Sequence, residues 1–264
     1  MLSAFVVNNV WFYVLSVPAL LLTSFSKGGF GLGLGVVTVP LMALYLPVPE
    51  VVTILLPVLC VTDLIALWQY RGKWSWPLLR LAIPAAFVGI GLGTLALHHL
   101  DEAWLRLAVG VISVDFVRRR WRRPHRAAPE TAPRDEPVPR VRPASCLFWG
   151  ATSGFTSFMA NAGEPALTMY LLPFRLSNSS FAGTTAAFFA AVNLTKLMSF
   201  SMLGLFTHTT LLTSLLLTPI ALLGTFAGFR FNRRLNAALF HQFSCAILLV
   251  IGARLIYTSL KVIV

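Results

Sequence analysis

Apolar residues fall in long blocks along this chain, roughly 3–25, 29–46, 51–70, 77–97, 103–117, 144–172, 181–206, 210–229 and 236–260. Short polar, glycine-rich or proline-rich stretches separate them. A helix needs about 20 apolar residues to cross the hydrocarbon core of a bilayer, and several blocks reach that length. The pattern predicts an all-α polytopic membrane protein, with backbone polar groups satisfied inside helices where water cannot reach. No Lys or Arg precedes the first block, which ends in Ser24-Phe25-Ser26-Lys27 rather than a small-residue cleavage site. It reads as a retained helix and not as a signal peptide.

The blocks repeat. Gly29-Phe30 returns as Gly154-Phe155, Pro40 as Pro165 and Tyr45-Leu46 as Tyr170-Leu171, each 125 residues on. After a small insertion Asp63-Leu64 answers to Asn193-Leu194, and Pro84, Gly89 and Gly93 answer to Pro219, Gly224 and Gly228 at an offset of 135. Duplicated halves in a membrane chain are a mark of secondary transporters, whose substrate site lies where the repeats meet.

Composition agrees with a lipid environment: 11% of residues are charged, against about 25% in a soluble domain. The net charge of +12 is concentrated, since segment 118–142 holds nine Arg against three acids and so carries half of it. A basic, proline-rich run beside membrane helices marks the cytoplasmic side and touches anionic lipid. A nucleic-acid partner would need a folded basic face with base-reading residues, and none is present in the sequence. Three units follow: an N-terminal transmembrane repeat at 1–117, a cytoplasmic Arg/Pro-rich linker at 118–143 and a C-terminal transmembrane repeat at 144–264. The cysteines, at 60, 146 and 245, are far apart and without a CxxC pair, so no disulfide framework, metal site or other cofactor is indicated.

With the linker inside, block 103–117 runs outward to inward, His98–Glu102 faces out and Arg71-Gly72-Lys73 lies inside, as basic loops prefer. In the second half the charges change places. The counterpart of the Arg71–Lys73 loop is the uncharged Gly204–His208, and that of His98–Glu102 is Arg230-Phe231-Asn232-Arg233-Arg234. Basic loops kept inside make the two halves inverted repeats. Each is then a broken or re-entrant segment, 26–46 or 146–172, followed by three transmembrane helices, with one extra N-terminal helix ahead of the first. About 27 residues give roughly 40 Å of helix, enough for two half-helices and not for two spans. The breaks are expected near Gly31–Gly35 and Ala160–Glu164. One long kinked helix per segment is the alternative; it makes the repeats parallel and places Arg230, Arg233 and Arg234 outside.

Few charges fall at membrane depth: Lys27, Asp63, Glu164 and Lys196. Each is costly against lipid and is expected to face protein or a water-filled path. Lys27 precedes a glycine run whose members Gly29, Gly31 and Gly33 serve either close helix packing or backbone N–H contact with an anion. Asn193 and Lys196, three apart, share a helix face, with Thr184 and Thr185 nearer the start of that helix. An amide and an ammonium on one buried face suit an oxyanion, although simple core pairing of Lys196 is the bland alternative. Asp63 takes either a coupling proton or the Lys27 ammonium as partner.

Ser26-Lys27-Gly28-Gly29-Phe30-Gly31 through Val39-Pro40-Leu41, then Leu56-Pro57 and Asp63, resemble the first half of the sulfite exporter TauE/SafE family. Ala162-Gly163, Pro165, Tyr170-Leu171-Leu172-Pro173, Gly183-Thr184-Thr185, Phe188-Phe189, Val192-Asn193 and Lys196 resemble its second half. The resemblance implies a carrier of sulfur-containing anions such as sulfite, thiosulfate, sulfoacetate or other sulfonates in the cell (inner) membrane. One departure stands out. Members often read His-Ala-Gly-Gly-Pro where this chain has Asn161-Ala162-Gly163-Glu164-Pro165, so an imidazole is lost and a carboxylate gained.

The expected site therefore joins Lys27, Gly29, Gly31, Gly33, Asn161, Gly163, Thr184, Thr185, Asn193 and Lys196 around a small anion, with Asp63 and Glu164 for coupling. The expected partners are that anion and membrane lipid, and a homo-oligomer stays open. An anion channel of the same fold is the main rival. An intramembrane serine hydrolase built on Ser153 is weaker, because neither His208 nor His241 falls at its depth and a nucleophile needs a base within reach.

Overall fold

The computed structural model describes residues 7, 9–29, 37–97, 99, 101–122, 142–231 and 237–263, and among these there is no strand. The helices are α1 (Val10–Gly29), α2 (Thr38–Met42), α3 (Val48–Gln69), α4 (Trp76–Leu97), α5 (Glu102–Arg122), α6 (Pro143–Ala160), α7 (Glu164–Leu171), α8 (Asn178–Met202), α9 (His208–Phe231) and α10 (Ala237–Ile263). A 3-10 turn, Leu172–Phe174, extends α7.

Local chemistry sets several ends. Prolines stand at the start of α3, α6 and α7, where a missing N–H costs nothing. The α8 helix is capped by Ser177, whose hydroxyl accepts from the Ser180 N–H at 3.3 Å. Inside α3, one turn before Pro57, the Ile54 carbonyl takes a 2.6 Å hydrogen bond from Ser214 of α9.

Four of these helices, α1, α3, α4 and α9, are long and apolar enough to cross a membrane. Their outer faces carry exposed Trp11, Leu64, Trp68, Leu95 and Leu223, which in water would form an unusually large apolar surface and in lipid are at home.

The helices correspond in order, α1 to α6, α2 to α7, α3 to α8, α4 to α9 and α5 to α10, and the packing respects that correspondence. Helix α6 packs on α4 as α1 packs on α9, α4 meets α8 as α9 meets α3, and α3–α8 and α5–α10 are contacts between counterparts. Each half thus lends its opening helix to the other. Glycines make these approaches close: a Cβ on Gly89 or Gly154 would strike the facing backbone of α6 or α4, and one on Gly28 or Gly224 that of α9 or α1.

The second opening segment is interrupted. Helix α6 stops at Ala160, Asn161 takes a left-handed conformation (φ 50°), and α7 starts at Glu164, so the break falls where the sequence places it. Asparagine is among the residues that tolerate this conformation best. The expected break at Gly31–Gly35 lies outside the described residues; the helices flanking it end at Gly29 and resume at Thr38. The extra N-terminal helix is corrected. Helix α1 runs unbroken from Val10 through Ser26-Lys27 to Gly29, so among the described residues the first apolar block runs on into the segment expected to follow it, with no separate helix ahead. No Gly or Pro lies between Ser24 and Lys27 to stop the helix, and the Lys27 ammonium finds partners without leaving it.

Candidate functional site

A cavity of about 30 Å³ lies where α1, α2, α6 and α7 meet α3 and α8, space for a water or two. Thr23 and Lys27 reach it from α1, Thr38 from α2, Leu55 and Leu59 from α3, Ser157 from α6, Asn161 from the break, Glu164 from α7, and Phe189 and Asn193 from α8. Both halves of the chain build it.

Two chains of polar contacts run beside it. In the first, the Lys27 ammonium pairs with Asp63 Oδ1 and donates to Thr62 Oγ1 at 3.1 Å. The other carboxylate oxygen, Asp63 Oδ2, accepts from Asn193 Nδ2 at 2.7 Å. Asp63 and Asn193 are 1% and 3% exposed, so the carboxylate is held by a cation and an amide in place of water, as a buried charge requires.

In the second, the fully buried Lys196 donates to the Ser157 carbonyl at 2.8 Å and to Asn161 Oδ1. Ser157 lies in the last turn of α6, where the helix dipole favours a cation, and its carbonyl also accepts the Asn161 N–H at 2.9 Å. The left-handed turn at Asn161 brings its amide to the same ammonium. Lys196 thus ties α8 to the break in the second opening segment.

The hydroxyls of Thr23 and Thr38 lie 2.5 Å apart and join α1 to α2, while Thr38 also donates to the Ala19 carbonyl at 3.3 Å. Across the cavity Ser153 donates to the Gly163 carbonyl at 2.7 Å. That bond holds the chain after the break back alongside α6, and a Cβ on Gly163 would run into Ser153 and Ser157. The Ser153 hydroxyl therefore acts here as a staple across the turn.

Of the residues expected at a site, Lys27, Asn161, Glu164 and Asn193 line the cavity, and Asp63 and Lys196 stand behind them as partners. Glu164 is half-buried in the first turn of α7. Thr185 is buried on α8, two turns before Asn193, and its hydroxyl has no partner among the described residues. Thr184 is placed elsewhere: its hydroxyl accepts from the Ser75 N–H at 3.0 Å and donates to the Ser180 carbonyl at 2.7 Å, at the loop between α3 and α4. Gly163 contributes close packing at the turn. Gly29 ends α1, and Gly31 and Gly33 lie outside the described residues.

Sequence reasoning missed Thr23, Thr38, Ser157 and Phe189. For Thr38 a signal exists, since it stands two residues ahead of the repeated Pro40 as Gly163 stands ahead of Pro165. For Ser157 the contributing atom is a backbone carbonyl, which no side-chain pattern announces.

Comparison with known proteins gives one family: residues 16–255 match the sulfite exporter TauE/SafE family. No curated protein and no solved structure matches the chain. The match spans nearly the whole length and takes in Lys27, Asp63, Glu164 and Lys196, so this chain belongs to the sulfite exporter TauE/SafE family of membrane transporters.

Proposed function

We propose that the protein is a secondary transporter that moves a small sulfur-containing anion across the cytoplasmic (inner) membrane by alternating access. Sulfite, thiosulfate, sulfoacetate and related organosulfonates are the class. The observation that carries this reading is the cavity at the crossing of α3 and α8, lined from both halves and flanked by two lysines. A site at the seam between repeats opens to one side or the other as the halves rock or slide.

We infer further that the repeats are inverted and their opening segments re-entrant. Contacts at both ends support this. Segment 143–174 advances along α4, with Gly150 beside Ala82 and Ala85 and Phe158 beside Gly93, and then returns, since the Tyr170 hydroxyl donates to the Leu78 carbonyl. The first segment starts beside α9, with the Val7 N–H on Thr213, and advances until the Gly28 carbonyl accepts from Tyr70 at the far end of α3. By Thr38 the chain is again level with Ala19 and Thr23. One segment then enters from the side of the Arg71–Lys73 loop and the other from the opposite side.

In this reading Lys27, Lys196, Asn161 and Asn193 hold the anion, with Thr185 and the glycines Gly29, Gly31, Gly33 and Gly163 shaping the path, and Asp63 or Glu164 carries the coupling proton. The small volume marks a contracted state that widens to admit substrate. The test is flux of labelled sulfite, thiosulfate and sulfoacetate into proteoliposomes. Saturable uptake accelerated by unlabelled substrate on the far side supports a carrier. Single-channel currents would instead make the protein a pore, and uptake of plain carboxylates without any sulfur anion would remove the substrate class.

A further inference from the structure

The two asparagines at the cavity are oriented by charged partners, and this fixes what each presents to a ligand. Lys196 carries only donors, so the atom of Asn161 that meets it is the amide oxygen. Ionised Asp63 carries only acceptors, so the atom of Asn193 that meets it is the amide nitrogen. The free ends are therefore opposite in kind. Asn161 Nδ2, a donor, and Asn193 Oδ1, an acceptor, are both buried without a hydrogen-bond partner among the described residues, and both side chains line the same cavity. Leaving such atoms unpaired is expensive, so a ligand that answers both has to offer an acceptor and a donor.

Charge narrows the class. Facing the cavity or directly behind it stand Lys27 on α1, Asp63 on α3, Glu164 on α7 and Lys196 on α8, with the Cys60 thiol one turn before Asp63. Their formal charges cancel, two against two. A dianion brought into this low-dielectric space has no surplus cation to meet it, whereas a single charge needs only a modest rearrangement of the existing pairs.

We propose that the site selects a monoanion that still carries one hydrogen, with hydrogensulfite as the fitting sulfur oxyanion, over the fully deprotonated dianion. Oxygen atoms of the ligand accept from Asn161 Nδ2, and its single hydrogen is donated to Asn193 Oδ1. The proposal rests on the transporter reading above and names the protonation state of its substrate.

The experiment measures binding of sulfite and of chlorate to the purified full-length protein by calorimetry, through the pH at which hydrogensulfite loses its proton. Chlorate has the same pyramidal shape and the same single charge as hydrogensulfite but no hydrogen. The expected result is a sulfite affinity that falls about tenfold per pH unit above that point, and chlorate binding roughly ten- to a hundredfold weaker than hydrogensulfite. Asn161→Asp, which keeps an acceptor on Lys196 and tolerates the left-handed turn, is expected to lose sulfite binding while its melting curve stays cooperative. Sulfite affinity that rises with pH, chlorate that binds as well as hydrogensulfite, or an Asn161→Asp variant that binds like the parent each overturns the proposal. Absence of binding and of flux for every sulfur oxyanion would reject the transporter reading itself, a different result from binding of the wrong protonation state.

Discussion

Asn193 donates a 2.7 Å hydrogen bond to Asp63, and the two are counterparts in the repeat. Each stands fifteen residues after the first residue of its helix, Val48 to Asp63 in α3 and Asn178 to Asn193 in α8. The bond ties the two repeats of the sequence together where α3 meets α8. The substitution of an amide for a carboxylate at the second position makes the contact attractive. Two carboxylates there would repel unless they shared a proton.

The first prediction concerns the charge at that contact. Asp63→Asn keeps an acceptor for Asn193 but leaves the Lys27 ammonium without its counter-ion. Removing one partner of a buried pair costs about 3–5 kcal/mol, and Lys27→Met strands the carboxylate in the same way. The double variant Asp63→Asn/Lys27→Met is expected to unfold at a temperature nearer the parent than either single variant. Thermal unfolding in detergent measures this, and simple additivity of the two losses would show that the pair contributes little.

Asn161 serves both the turn and Lys196, and two substitutions separate these roles. Asn161→Gly accepts φ 50° readily and removes the amide, so stability falls by the hydrogen bond to the buried ammonium, about 2 kcal/mol. Asn161→Val adds the strain of a β-branched residue in the left-handed region, which brings a further loss of order 1–3 kcal/mol. Substrate flux is expected to fall in both, since both lose the amide. Flux in Asn161→Gly equal to the parent would leave this side chain a purely local role.

Much of this architecture is legible in the sequence, and the part that is not has physical reasons. Apolar blocks and charged loops place the helices, and the 125-residue echo ties α1 and α2 to α6 and α7. The second break is readable because Asn161, Gly163 and Pro165 crowd within five residues. Repetition establishes that Asp63 and Asn193 are equivalent, but equivalence carries no statement of contact; that follows only once α3 and α8 cross. The partners of Lys196 are harder still, because one is a carbonyl and the other depends on a single left-handed residue. The expected separate N-terminal helix fails for a related cause. A lysine in an apolar run suggests a helix end, yet Lys27 stays inside α1 because Asp63, 36 residues on, neutralises it.

The proposed inversion makes a prediction about sides. Single cysteines at Lys73, Asp101, Thr207 and Arg230, in a background with Cys60, Cys146 and Cys245 replaced by Ala, are expected to divide into two pairs. Positions 73 and 230 react with an impermeant thiol reagent from the cytoplasmic side, and 101 and 207 from the opposite side. Parallel repeats would exchange 207 and 230 between the pairs, so those two positions decide the matter.

Glu164 supplies the last test, and it separates coupling from binding. It stands in the first turn of α7 and lines the cavity together with Lys27. Glu164→Gln is neutral at every pH and nearly the same size, so packing is expected to survive. If Glu164 carries the coupling proton, a pH gradient no longer drives accumulation of labelled sulfite in proteoliposomes, while exchange of internal for external substrate continues at a rate close to the parent's. If gradient-driven accumulation persists unchanged, coupling belongs to Asp63. A protonated Asp63 would then release Lys27 for the anion, and Asp63→Asn would be the variant that uncouples.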